Sequence, residues 1–286
     1  MQLILPRGYH QLVFKKILPY SCSINLANLI MSEIAFRGAQ GKVDGFYSHS
    51  RNSNAPAVLI VSNNNDKPTK KGSSLTKIVD MVFDVFVAND FSVLRFDFVG
   101  HKVDKNDVDN SNLLDMTAAL DWLHAKNFEC RSFWVCGVDY GAFVTLQLVM
   151  RRPELENYVL VSPNMKKNDM SFIIPCSACG LIVRGSEDIK FTEDECLALQ
   201  EKLLTKAESK VKCTTIYGAE RDFANEIEQL GGELSSYLEE KTAYDRKNLR
   251  HITAGKRRRR KKRSSYLDED RPVYINPVKN LEIRDI

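Results

Sequence analysis

No stretch of this sequence approaches the roughly 18–20 consecutive apolar residues that span a bilayer, so no transmembrane helix is expected. A disulfide framework is equally unexpected. The seven cysteines, Cys22, Cys130, Cys136, Cys176, Cys179, Cys196 and Cys213, are odd in number and irregular in spacing. Several lie in apolar runs, where cysteine behaves as a small hydrophobe. That usage fits a reducing compartment, and a cytoplasmic location is expected. "CSAC" at Cys176–Cys179 is a lone CxxC with no second pair to complete a zinc site, which favours packing over metal binding. No metal and no cofactor are expected, and there are no internal repeats. Histidine is scarce as well. His10, His49, His101, His124 and His251 are all the chain has, which limits where a general base can come from.

What is present is globular. The chain has 286 residues, 43% of them hydrophobic, enough for one sizeable α/β domain or two small ones. The net charge of +4 conceals an asymmetry. Lys256, Arg257, Arg258, Arg259, Arg260, Lys261, Lys262 and Arg263 form one uninterrupted basic run. Without those eight, 33 of the 41 basic residues remain against 37 acidic ones, so the body is mildly acidic. From about residue 247 no core-forming periodicity is left, and 247–286 reads as a basic, disordered tail. Residues 1–30 read as an extension. "KKILPYSCSINLANLI" loosely resembles a signal peptide, but Ser, Asn and Pro interrupt it; Met31 is an alternative start.

Residues 31–246 alternate strand and helix patterns. "EIAFRG" and "GKVDGFYSH" read as an antiparallel hairpin, and "AVLIVS" as a strand buried on both faces. "LTKIVDMVFDVFVAND" has apolar residues at helical spacing, and "FSVLRFDF" is the next strand. "NLLDMTAALDWLHAKN" follows as a helix capped by Asn110 or Ser111. "SFWVCGV", "NYVLVSP", "GLIVRG" and "KVKCTTIYG" are further strands. Between them lie the helices "GAFVTLQLVMRR" and "TEDECLALQEKLLTKA", the second with a Thr192–Glu195 capping box. "FANEIEQLGGELSSYLEEKT" closes the domain, with a kink expected at Gly231–Gly232. The order implies a mostly parallel, doubly wound α/β sheet with helices on both faces. The short spacing between "VLVSP" and "GLIVRG" leaves no room for a lid domain.

"WVCGVDYGAF" carries the chemistry. Gly137 and Gly141 stand two residues either side of Asp139, between a strand and a helix, in the pattern Gly-x-nucleophile-x-Gly. From Met31 to the closing helix the chain resembles the small, lidless bacterial α/β-hydrolases of the dienelactone-hydrolase and esterase type. The matching stretches are "GKVDGFYSHSRNSNAPAVLIV", "FSVLRFDFVG", "ALDWL", "WVCGVDYGAFVTLQLVMRRP", "VLVSPN" and "GLIVRGSEDIKF". The resemblance implies an α/β-hydrolase fold and a hydrolytic triad. Asp139 stands at the family's Ser, Asp188 at its acid, and Arg221, in "GAERDF", at its His. The oxyanion loop falls at Ser62 and Asn63, where "SNNN" replaces the family's His-Pro-His-Pro-like sequence, and Tyr140 follows the nucleophile position.

Two chemical readings stay open at this stage. A carboxylate at 139 can attack carbon, but hydrolysis of the resulting ester needs a base. Arg221 cannot serve, because it stays protonated; His101, after a central strand, is one rescuing candidate. Alternatively, Arg221 bonds both Asp139 and Asp188 in a static network that closes the site. The first reading is an active hydrolase on small ester or acyl substrates. The second is an inactive member kept as a binding or interaction module, with a small-molecule ligand in the old site. A third role, independent of both, is an adaptor that binds nucleic acid, another polyanion or an anionic membrane surface through the basic run. Oligomeric state is not legible.

Overall fold

Eight strands form a single sheet in the order β1-β2-β4-β3-β5-β6-β7-β8. The computed structural model describes residues 31–63, 74–98, 105–130, 132–164, 170–204 and 210–243. β1 (Met31–Gly38) and β2 (Gly41–Ser48) form an antiparallel hairpin across a two-residue turn. The turn is held by Asp115, whose Oδ1 accepts the Ala39 N–H at 2.6 Å. β2 pairs antiparallel with β4 (Ser92–Phe98). The remaining pairings are parallel: β3 (Ala57–Asn63) with β4 and β5 (Phe133–Val138), then β6 (Leu155–Val161), β7 (Cys179–Gly185) and β8 (Val211–Ile216) in succession.

Alternate side chains of each central strand enter opposite faces, as the pleat requires. Leu59 and Val61 join a core with Met116, Leu120, Ala142, Leu146 and Leu199. Val58 and Ile60 join a second core with Ile78, Val82, Phe86, Trp134, Leu230 and Leu234. One face is therefore covered by α2 (Lys105–Lys126), α3 (Tyr140–Val149) and α4 (Glu193–Leu203). The other is covered by α1 (Ser74–Ala88) and the part of α5, a helix over residues 227–243, that runs up to Leu238. This two-sided burial explains the unbroken apolar runs in β3 and β5, every residue of β5 being buried.

One expectation needs correction. α2 starts at Lys105, so Asn110 and Ser111 lie inside it and neither caps it. Its first turns, "KNDVDN", are polar and carry no apolar periodicity to reveal a helix. The Ser111 hydroxyl instead accepts from Gln40 Nε2 at 3.4 Å. Gly231 and Gly232 do not interrupt the closing helix, which is helical throughout 227–243. Gly231 faces α1, and a Cβ on it would stand 3.3 Å from Met81 Sδ. The Thr192 capping box of α4 is present in full, with both reciprocal hydrogen bonds. Between β6 and β7 there is no inserted domain, so the fold is lidless.

Candidate functional site

The carboxyl ends of β5, β6, β7 and β8 lie side by side, which is where an open parallel sheet gathers its reactive groups. Asp139 follows β5 directly, with φ 55° and ψ −118°. That backbone is unfavourable for a residue with a Cβ and costs about 1–3 kcal/mol. The turn is held by the Asp139 N–H donating to Val161 O at 3.0 Å and by Ala142 and Asn164 N–H groups donating to Asp139 O, each at 3.2 Å. The flanking glycines are required by contact. A Cβ on Gly137 would meet Ala142 Cα, Gly141 O and Thr145 Oγ1 at 2.5 Å, and one on Gly141 would meet Val61 O at 2.4 Å. The turn is therefore a sharp elbow that presents the residue 139 side chain at the start of α3.

Arg221 comes from the turn after β8 and reaches back across two strand ends. Its Nε donates to Asp139 Oδ1 at 3.1 Å, and its Nη2 donates to the same oxygen. Nη2 also donates to Ser162 O at 2.7 Å, and Nη1 donates to Asp188 Oδ2 at 3.0 Å. All three guanidinium nitrogens are thus engaged. Asp188 follows β7 and has a fully buried side chain. Its second oxygen accepts from the Lys190 and Phe191 N–H groups at 2.8 and 3.2 Å. Ser162, after β6, closes the ring. It has φ 44°, its carbonyl receives Arg221, and its Oγ donates to Arg221 O at 2.9 Å. Two carboxylates on one guanidinium leave the cluster with one net negative charge. The amino end of α3, beside Asp139, contributes a compensating positive potential.

Ser162 is the member that the sequence reading missed. It contributes a carbonyl and a turn, and neither has a residue-type signature. The "SPN" that follows β6 was the available sign. On the opposite side of the elbow, Ser62 adjoins Gly141 through its backbone. Its hydroxyl turns away and donates to Asp97 Oδ1 at 2.5 Å. Asn63 ends β3. Tyr140 opens α3, and its OH accepts from Asn112 Nδ2 at 3.3 Å. Its ring packs beside Phe98 and Phe143, at centroid distances of 6.1 and 5.9 Å.

Neither described histidine is near. His49 follows β2, whose last residues pair with the first of β4, and its Nδ1 meets Tyr47 OH at 2.7 Å. His124 stacks on Phe133, the first residue of β5, at 3.7 Å between centroids, and burial lowers its pKa. Both sit at the amino-terminal edge of the sheet, opposite Asp139. His101, His10 and His251 lie outside the described residues, as do Lys256–Arg263. Among the described residues no helix is long and apolar enough to cross a membrane, and no cluster of three or more His, Cys, Asp or Glu is arranged to hold a metal.

No protein-family model matches the chain. An uncharacterised protein of Rickettsia prowazekii, RP471, is 31% identical over 214 residues, covering 73% of this chain and 89% of that one. A crystal structure of ATU1826 from Agrobacterium tumefaciens, a candidate α/β hydrolase of unknown function, is also 31% identical. It superposes with a TM-score of 0.66 over 74% of this chain and 97% of its own. XC6422 from Xanthomonas campestris, an α/β serine hydrolase without a lid, is 20% identical with a TM-score of 0.58, covering 72% of this chain and 92% of its own. At that identity it speaks for the fold alone. Sheet order, elbow and relatives agree, and the chain belongs to the small, lidless α/β hydrolases.

Proposed function

We propose that this protein is a non-catalytic α/β hydrolase, in which the site that does chemistry in the family is closed by the Asp139–Arg221–Asp188 network. It then serves as a binding or interaction module. The observation carrying this reading is that both carboxylates are held by one guanidinium. A carboxylate nucleophile is weakened when a guanidinium holds its charge, and its ester needs a base to activate water at the next step. Asp139 Oδ1 is engaged twice by Arg221, and a guanidinium is a hydrogen-bond donor with no acceptor to serve as a base. Among the described residues no histidine faces Asp139, and an ester formed on that carboxylate needs a base for its release. A small ligand entering this site would have to accept the network or break it.

The test is turnover. Purified protein is offered a panel of esters, lactones, epoxides and haloalkanes, beside Asp139→Asn. Silence of both proteins across the panel is expected. Turnover by the wild type that Asp139→Asn abolishes would overturn the reading and make Asp139 a nucleophile.

A second role is favoured by the basic run. Eight consecutive cations attached to an acidic body are suited to phosphate backbones without sequence readout. A nucleic acid or another polyanion is the partner such a run would take. This role does not depend on the state of the hydrolase site.

A further inference from the structure

Away from the elbow, two cysteines meet at the edge of the sheet. Cys196 lies on α4 and is 2% exposed; Cys213 lies on β8, the last strand of the described sheet, and is partly exposed. The Cys196 thiol donates to Cys213 Sγ with the sulfurs 3.0 Å apart, well inside the sum of their van der Waals radii. The sulfurs are about 1 Å from the S–S bonding distance of about 2.05 Å. Other hydrogen bonds already tie the same two segments together. Gln200 Nε2, on α4, donates to Val211 O at 2.6 Å. Buried Arg184 donates from Nε to Phe191 O, just before α4, at 3.0 Å and from Nη1 to Thr215 Oγ1, on β8, at 3.4 Å. The remaining described cysteines offer no comparable pair. Cys130 and Cys136 are buried in different cores. Cys176 and Cys179 are neighbours in sequence, and no hydrogen bond joins their sulfurs.

We propose that Cys196 and Cys213 are a modification site: a dithiol that closes reversibly to a disulfide on exposure to a low-molecular-weight disulfide such as oxidised glutathione. Cys213 reacts first, because it is the reachable partner. The hydrogen bond from Cys196 also lowers the Cys213 pKa, which favours its thiolate, while the same bond raises that of Cys196. The Cys213 thiolate attacks one sulfur of the small disulfide, breaking its S–S bond and expelling one small thiolate. Cys196 then gives up its proton and attacks the Cys213 sulfur of the mixed disulfide, expelling the second. Two protein thiols are oxidised, one small disulfide is reduced to two thiols, and the two protein protons end on them. The bridge joins α4, which begins just after the Asp188 loop, to β8, which leads into Arg221. The site's chemistry plays no part in the argument, so the proposal stands apart from the function proposed above.

The test uses the full-length protein. It is equilibrated with glutathione at a series of reduced-to-oxidised ratios, quenched by alkylation and mapped by mass spectrometry, and its melting temperature is followed in parallel. The expected result is a cross-linked pair of peptides carrying Cys196 and Cys213, reversed by added reductant. The residues lie 17 apart, so the bridge closes a short loop and raises Tm by about 5–10 °C. In Cys196→Ser, Cys213 should be trapped as a mixed disulfide with glutathione and the Tm rise should vanish. Full alkylation of both residues in the oxidised wild type, or a bridge at Cys176–Cys179 with Cys196 and Cys213 free, would overturn the proposal. The wild-type map decides the matter even if the variant does not fold.

Discussion

The Arg221 guanidinium donates four hydrogen bonds to three residues, and its removal tests how strongly they bind the site together. Arg221→Ala would leave the buried Asp188 carboxylate and Asp139 without their shared counter-ion. An orphaned buried charge costs about 3 kcal/mol, so the urea midpoint should fall accordingly. Arg221→Lys should recover only part of the loss, because an ammonium keeps the charge and lacks the fork that spans two carboxylates and a carbonyl. At this scale the sequence was informative where function depends on residue type and uninformative where it depends on backbone. Asp139 could be singled out from its Gly-x-nucleophile-x-Gly elbow, and Asp188 and Arg221 from the resemblance to the hydrolase family, whose acid and His positions they occupy. Ser162 could not, since any residue offers a carbonyl.

At the scale of elements, the glycines separate contact from conformation. Gly141→Ala would drive a Cβ to 2.4 Å from Val61 O in β3, so a loss of about 3 kcal/mol or more is expected, read as loss of folded protein. Gly232→Ala in α5 meets nothing within 4 Å and should stabilise the protein by about 0.5–1 kcal/mol. α1 supplies a pH signature. Burial and the neighbouring Asp80, opposed by Arg95 of β4, raise the Asp84 pKa to about 7. The folded protein therefore holds a proton that the unfolded chain has already released above the usual carboxylate range. Stability should fall as pH rises from about 4 through about 7 and level off beyond. Asp84→Asn should remove that decline, raising the urea midpoint most at pH 8, less at pH 5 and little near pH 4. Strands were the most readable elements, because β3 and β5 are buried on both faces and their apolar runs are unbroken. The start of α2 was hidden because its first turns are polar, and helix without an apolar stripe has no periodicity to detect.

For the whole molecule, the order of strands and helices settled the fold class, since β-α alternation with right-handed crossovers admits few arrangements. The absence of a lid was likewise readable from the short β6–β7 connection. What the order could not convey was which strand ends become neighbours, and the side-by-side run from β5 to β8 is what lets Arg221 reach Asp139. Charge is divided at the same scale. Deleting Lys256–Arg263 should abolish binding to a single-stranded or duplex nucleic acid in low salt, with the intact chain losing affinity steeply as salt rises. Binding that survives the deletion would assign it to the acidic body.

The central claim is that a hydrolase framework persists here with its reaction centre closed. The most direct measurement compares wild type with the double variant Asp139→Ser/Arg221→His on fluorogenic short-chain esters. The wild type should be silent and the double variant should hydrolyse esters above background, because the introduced serine and histidine, with the untouched Asp188, would restore nucleophile, base and orienting acid. Wild-type turnover that the double substitution leaves unchanged or abolishes would contradict the account.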